Sequence, residues 1–378
     1  MGVRSAGPPR RREHLDWLRG VAVLLMIDAH LFDSWTRFPD RDTRAFGIAM
    51  IIGGAGTTLF LFLAGVAVAL SAASKLRRTG DMDAAARAVA WRGLEIFALA
   101  LVFRVQAFLL GWSHRWLDLL KVDILNVMGP SIAVAALLWR LGSSARNRAL
   151  IFAIATAATA VLTPLIRTLP PGWLPQPLYA YIVPVPGLTN FVFFPWMALV
   201  FAGACVGVLI DAGQTSETDL LMHRRLAAGG AIVSVAAFAA SYLPTAFAGS
   251  HFWTTSPAYL LLRSGLTTFA IAASHAWVRS WGTAAHWSPL TQLGRTSLFI
   301  YWIHVELVYG LISRPWHRAL TLFEALLAYV IFCVVMLACS IAKERIARRF
   351  TRPVGAGAAG IAALSAAPVP TRSPPSGE

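Results

Sequence analysis

The stretch LDWLRGVAVLLMIDAH, residues 15–30, decides how the chain is read. Its middle is apolar enough to enter a bilayer, yet its ends carry Asp16, Arg19, Asp28 and His30. Lipid penalises such groups: an Arg or Asp at the centre of a membrane helix costs ~2.5–3.5 kcal/mol on insertion scales. A helix that keeps them is expected to pair them with other helices or to use them.

The rest of the chain has the same character. Of 378 residues, 57% are hydrophobic and 13% charged, with a mean hydropathy of +0.62. A soluble domain carries about 25% charged residues. Apolar runs of about 20 residues, the length that crosses ~30 Å of hydrocarbon, recur down the chain. They fall at 15–37, 46–73, 89–112, 121–141, 147–168, 191–211, 226–247, 257–278, 292–314 and 320–345. The expected fold is all-α: a polytopic integral membrane helix bundle of about ten transmembrane helices.

The net charge of +15 is explained by topology. The N-terminal tail and every second connection hold 19 Lys and Arg residues, among them Arg10 to Arg12, Arg77, Arg78 and Arg348. The other connections hold 8, such as Arg37, Arg41 and Arg318. Positive charge accumulates on the cytoplasmic side, so both termini are expected there and no nucleic-acid partner is called for. Cys205, Cys333 and Cys339 all fall in expected helices and are read as small apolar packing groups rather than a disulfide framework. No zinc-ligand spacing appears, and no metal is expected.

Three regions follow. Residues 1–13 form a basic tail, 14–348 the membrane domain, and 349–378 a tail rich in Ala, Gly, Pro and Ser that is expected to be disordered. Within the domain, PPGWLPQPLYAYIVPVPGLTN (170–190) has too many prolines for a regular helix. Its Trp173, Tyr179 and Tyr181 fit either a lid over an outer cavity or a linker resting on lipid headgroups.

The polar residues are patterned. From Arg19 to His30 is eleven residues, which on a helix is three turns and ~20°. The two share a face, ~16 Å apart along the axis. Asp16 is placed to pair with Arg19, and Gly20 leaves room beside it for a neighbouring helix or a ligand. Asp33, three residues after His30, is a candidate to orient its ring. A second cluster is LGRTSLFIYWIHVELVYG (293–310). Tyr301, His304 and Val308 share one face of that helix, and Trp302, Glu306 and Tyr309 another, so it is expected to be buried in protein. Arg104 or Arg263 paired with Asp28 or Asp123 is the plainest reading of the remaining charges. Together these residues outline a path with a basic inner mouth, where Arg suits phosphate groups, and a His deeper in, suited to general-base work.

LDWLRGVAVLLMIDAH, GTTLFLFLAGVAVALS (56–71), VDILNVMGPSIAVAAL (122–137), FPWMALVFAGACVGVL (194–209) and LGRTSLFIYWIHVELVYG resemble, in that order, the catalytic domain of the heparan-α-glucosaminide N-acetyltransferase family. The match is closer to its bacterial branch than to the lysosomal enzyme. Arg19, ten residues and then His30 also match the signature of the wider acyltransferase-three superfamily. The resemblance implies an acyl-CoA-dependent O- or N-acyltransferase, in the bacterial inner membrane. Its co-substrate is acyl-CoA, in particular acetyl-CoA, and its acceptor a sugar or envelope glycan. The lysosomal enzyme carries its catalytic His in the loop after the first helix, whereas His30 lies inside the helix, so a catalytic His30 follows from the superfamily pattern.

The expectation is therefore His30 as general base, with Asp33 or Glu306 orienting it and His304 the next candidate for the base. Arg19, Arg295 and Arg92 are expected to contact the CoA phosphates. Tyr301 and His304 are expected to line the path, Tyr301 on the CoA side. Lipid is an expected partner, and a homo-oligomer is compatible with this reading. The rival is a small-solute or proton-coupled transporter using the same polar core.

Overall fold

The computed structural model describes residues 12–111, 115–213, 215–244, 252–281 and 287–350. The chain is helical, with no strand among the described residues. In order the helices are α1 (Glu13–Trp35), α2 (Phe38–Arg41), α3 (Arg44–Thr79), α4 (Met82–Leu110), α5 (Ile124–Leu141), α6 (Ala145–Ile166), α7 (Gln176–Tyr179), α8 (Phe193–Ala212), α9 (Ser216–Ala240), α10 (Pro257–Ser280), α11 (Pro289–Arg295), α12 (Ser297–Tyr309) and α13 (Leu322–Phe350).

Each of the ten expected segments holds a helix, and the ninth is split into α11 and α12. Among the described residues six helices, α3, α4, α5, α6, α8 and α13, are long and apolar enough to cross a membrane. Boundaries differ from expectation where charged residues continue a helix past its apolar run. α3 runs on through Lys75, Arg77 and Arg78 to Gly80, whose left-handed φ of 69° ends it. α4 begins at Met82 because Asp81 accepts hydrogen bonds from the Asp83 and Ala84 amides. Thr43, Ser144, Thr215, Ser256 and Ser288 cap α3, α6, α9, α10 and α11 in the same way. Almost all of the two tails, residues 1–11 and 351–378, lies outside the described residues.

α1 is the axis of the bundle, packing against α3, α10, α11, α12 and α13. Around it α3 lies on α8, α8 on α6, α4 on α5, and α9 on α10. Without a hydrophobic drive between helices in lipid, small residues set such contacts. A side chain at Gly65 would strike the Val200 carbonyl, and one at Gly203 the Phe62 carbonyl, so the α3 and α8 backbones touch.

The ends of the bundle sort as the alternate connections require. At one end Arg12 pairs with Asp219, Arg77 with Asp211, and Arg140 with Asp83. The opposite end carries Trp35, the start of α5 and the proline-rich connection. That connection contains the single turn α7 and packs onto its neighbours. Tyr179, Ala180, Val183 and Leu188 are buried, and the Val122 amide donates to the Leu188 carbonyl at 2.9 Å. It thus caps the ends of α5 and α8.

Candidate active site

α12 is anchored at both of its ends, to α13 near its start and to α1 near its end. Near its start Thr296 breaks the helix, and its Oγ1 lies 2.6 Å from Ser340 Oγ of α13, which also accepts from Gln292 Nε2 at 3.0 Å. Near its end the Val308 carbonyl accepts from Ser34 Oγ and Trp35 Nε1, both at 3.1 Å. Between these anchors His304 meets His30.

His30 Nδ1 lies 2.9 Å from His304 Nε2, and the rings are nearly parallel, 10° apart. His304 Nδ1 lies 2.8 Å from the Ile300 carbonyl one turn back. A carbonyl oxygen only accepts, so His304 Nδ1 carries the proton and its Nε2 presents a lone pair. His30 must then donate from Nδ1, which leaves the lone pair of the neutral ring on His30 Nε2. The pair is a relay from Ile300 through His304 to His30, ending in an unprotonated nitrogen. His304 is fully buried, while His30 is partly exposed. An imidazole held in one tautomer with one accessible lone pair is a general base in form.

Asp33 is engaged elsewhere: Arg41 Nη2 donates to its Oδ1 at 2.9 Å and Tyr309 Oη to its Oδ2 at 3.3 Å. Through Tyr309, whose ring stands edge-on to His30 at 5.7 Å, Asp33 borders the site without holding the His30 ring. Glu306 points from another face of α12 and holds a buried Oε1 with no hydrogen-bond partner among the described residues. Of the two expected orienting groups, neither is hydrogen-bonded to His30 there. The sequence reading missed His304 in that role because the two residues are 274 positions apart.

Tyr301 sits beside His304, 5.6 Å between ring centroids, between Phe60 and Phe103. Its setting is the aromatic wall of the His pair rather than the basic end. On the neighbouring face Trp302 Nε1 donates to Gln106 Oε1 at 2.7 Å, and Arg104 pairs with Asp123, as the plainest sequence reading had it. Asn190 of the proline-rich connection donates to the same Asp123 at 2.6 Å.

The basic end is organised by glycine. A side chain at Gly20 would overlap the Leu290 carbonyl, and one at Gly294 the Asp16 carbonyl. α11 therefore crosses α1 in backbone contact, and the neighbour admitted by Gly20 is a helix. The crossing brings Arg295, exposed at the end of α11, next to the turn of α1 that carries Arg19. Arg19 Nη1 donates to Asp16 Oδ1 at 3.1 Å, and its side chain keeps 28% exposure. Arg92 is not part of this group by its contacts: it lies on α4, packed on α5 and α3, and pairs with Glu95 at 2.7 Å.

At the other end a cavity of about 240 Å³ opens beneath the proline-rich connection. Trp196, Tyr259, Arg167 and Arg263 line it, with the Arg263 guanidinium over the rings of both Trp196 and Tyr259. Arg167 donates to the Phe194 carbonyl at 2.9 Å, and burial weakens its hold on its proton.

The family model for heparan-alpha-glucosaminide N-acetyltransferase, catalytic, matches residues 11–244, more than half of the chain. The matched span contains Arg19, His30, Asp33 and Arg92, while Arg295, Tyr301, His304 and Glu306 lie beyond it. A search of curated proteins finds no match.

Proposed function

The chain belongs to the heparan-alpha-glucosaminide N-acetyltransferase catalytic-domain family, and from that premise we propose that it moves an acyl group, in particular acetyl, from acyl-CoA to a sugar or envelope-glycan acceptor. The observation that carries this reading is the His304–His30 relay, which leaves one imidazole nitrogen free to take a proton.

In the proposed reaction His30 Nε2 removes the proton from an acceptor hydroxyl or amine. The acceptor oxygen or nitrogen bonds to the acyl carbonyl carbon, the carbon–sulfur bond breaks, and CoA leaves as a thiolate that recovers the proton from His30. His304 holds His30 in the competent tautomer and spreads the charge of the transient imidazolium.

Arg19 and Arg295 take the CoA phosphates at the basic end, which is the cytoplasmic one on the positive-inside rule. The ~16 Å from Arg19 to His30 along α1 is a separation that an extended pantetheine arm spans. The acceptor arrives from the opposite end, where the aromatic and arginine lining of the outer cavity suits a sugar ring and its hydroxyls. With six helices fit to cross a bilayer and basic connections at one end, the site of action is a membrane, proposed to be the bacterial inner membrane.

The test is acetyl-CoA turnover by purified protein in detergent, with and without an extract of envelope glycans. Acceptor-dependent release of CoA supports the reading. Solute flux into vesicles without acetyl-CoA consumption would favour a transporter.

A further inference from the structure

At the basic end, three helices converge on a second group of imidazoles that acyl transfer leaves unused. His14 stands in the first turn of α1. Asp219 and His223, four residues apart and so on one face, open α9. His275 lies near the end of α10. One ligand-capable atom from each of Asp219, His223 and His275 lies within 4.8 Å of the others. His14 stands edge-on to both other rings, 5.0 and 5.1 Å away.

The hydrogen bonding leaves this group unfinished. His223 Nδ1 is 2.8 Å from the Asp219 backbone carbonyl and donates to it, so the lone pair of its neutral ring is on Nε2. That Nε2 is buried without a hydrogen-bond partner among the described residues, and so is His14 Nε2. The residues are 2% and 5% exposed. An unpartnered buried polar group is destabilising. Protonation of His223 would not relieve this, because its lone pair would become an N–H with no acceptor among the described residues. Asp219 Oδ2 lies 3.0 Å from His275 Nε2, close to the ~3.3 Å edge that tetrahedral bonds of ~2.0 Å would require. The outer contacts of a metal site are also present. Arg12 Nη1 donates to the other carboxylate oxygen, Asp219 Oδ1, at 2.8 Å, and the Asp219 carbonyl holds His223.

We infer that His223, His275 and Asp219 bind one zinc-class divalent ion that ties α9 to α10, with His14 of α1 packed against both imidazoles. Two imidazoles and one carboxylate suit zinc, whereas magnesium and calcium favour oxygen donors. Through His14 the group packs against the helix that carries Arg19 and His30. The spacing gave no warning of the group, because only Asp219 and His223 are near in sequence.

The experiment uses the full-length chain, free of any affinity tag, in detergent. It is equilibrated with zinc, dialysed, and assayed for metal by mass spectrometry, then titrated with cobalt(II) and followed by visible absorption. The expected result is one zinc per chain, tetrahedral cobalt bands, and a melting temperature that falls with chelator. His223→Gln and His275→Gln should each weaken zinc binding at least ~10-fold, since even outer-shell changes cost about 10–100-fold. Wild-type protein holding no zinc above the buffer blank, or octahedral cobalt alone, would overturn the proposal without recourse to any variant. So would either variant binding zinc as wild type does.

Discussion

His30 Nδ1 and His304 Nε2 are 2.9 Å apart, and the hydrogen bond from His304 to the Ile300 carbonyl fixes which of them donates. One backbone carbonyl on α12 thereby sets the protonation pattern of a side chain on α1. It ties His30 to a helix that lies outside the span matched by the family.

If the two imidazoles act as a unit, their losses should not add. His30→Gln alone should cost ~10²–10⁴-fold in turnover, the usual worth of a general base. His304→Gln should cost less, and the double variant about as much as His30→Gln. Turnover of the four proteins checks this. Losses that multiply would mean independent roles.

Arg19→Ala should weaken acetyl-CoA binding by roughly 10- to 150-fold, the ~1.5–3 kcal/mol of a charge-assisted contact. Calorimetry on detergent-solubilised protein reads it directly. Unchanged affinity would leave Arg19 as the partner of Asp16 alone.

The α1–α11 crossing predicts a sharp contrast between two glycines. Gly20→Leu would drive a side chain into the Leu290 carbonyl, while a side chain at Gly54 meets nothing within 4 Å. Gly20→Leu should therefore lose at least the ~1–3 kcal/mol of an overpacked core, and Gly54→Leu should be nearly neutral. Thermal unfolding followed by size-exclusion fluorescence compares them.

Orientation is tested with Arg224→Cys and Arg314→Cys, two exposed positions at opposite ends of the bundle. An impermeant maleimide applied outside intact cells should label the second and not the first. Labelling of Arg224→Cys from outside would invert the topology.

What the sequence disclosed follows from the range of the interactions involved. Helix positions are written in local apolar runs, and the Arg19–His30 face in a helical period, so both were legible. So was the demand for a close neighbour at Gly20. Helix ends were less so, because Lys75 to Arg78 prolong α3 without being apolar. The break at Thr296 was hidden because α11 and α12 read as one apolar run. The partners of His30 could not be read at all: Asp33 and Glu306 have the right chemistry, but Arg41 and Tyr309 hold the first and Glu306 faces away. His304 reaches His30 only because α12 folds back along α1. The group around His223 was invisible for the same reason.

The most direct measurement is the pH dependence of acetyl-CoA turnover in wild type and in His30→Gln. The wild-type rate should rise from acid pH and level off once His30 is neutral, since only the neutral ring can take a proton. The variant should bind acetyl-CoA normally yet retain at most ~1% of the plateau rate, without that titration. A His30→Gln protein that turns over at the wild-type rate, with the same pH profile, would contradict the assignment of His30 as the base.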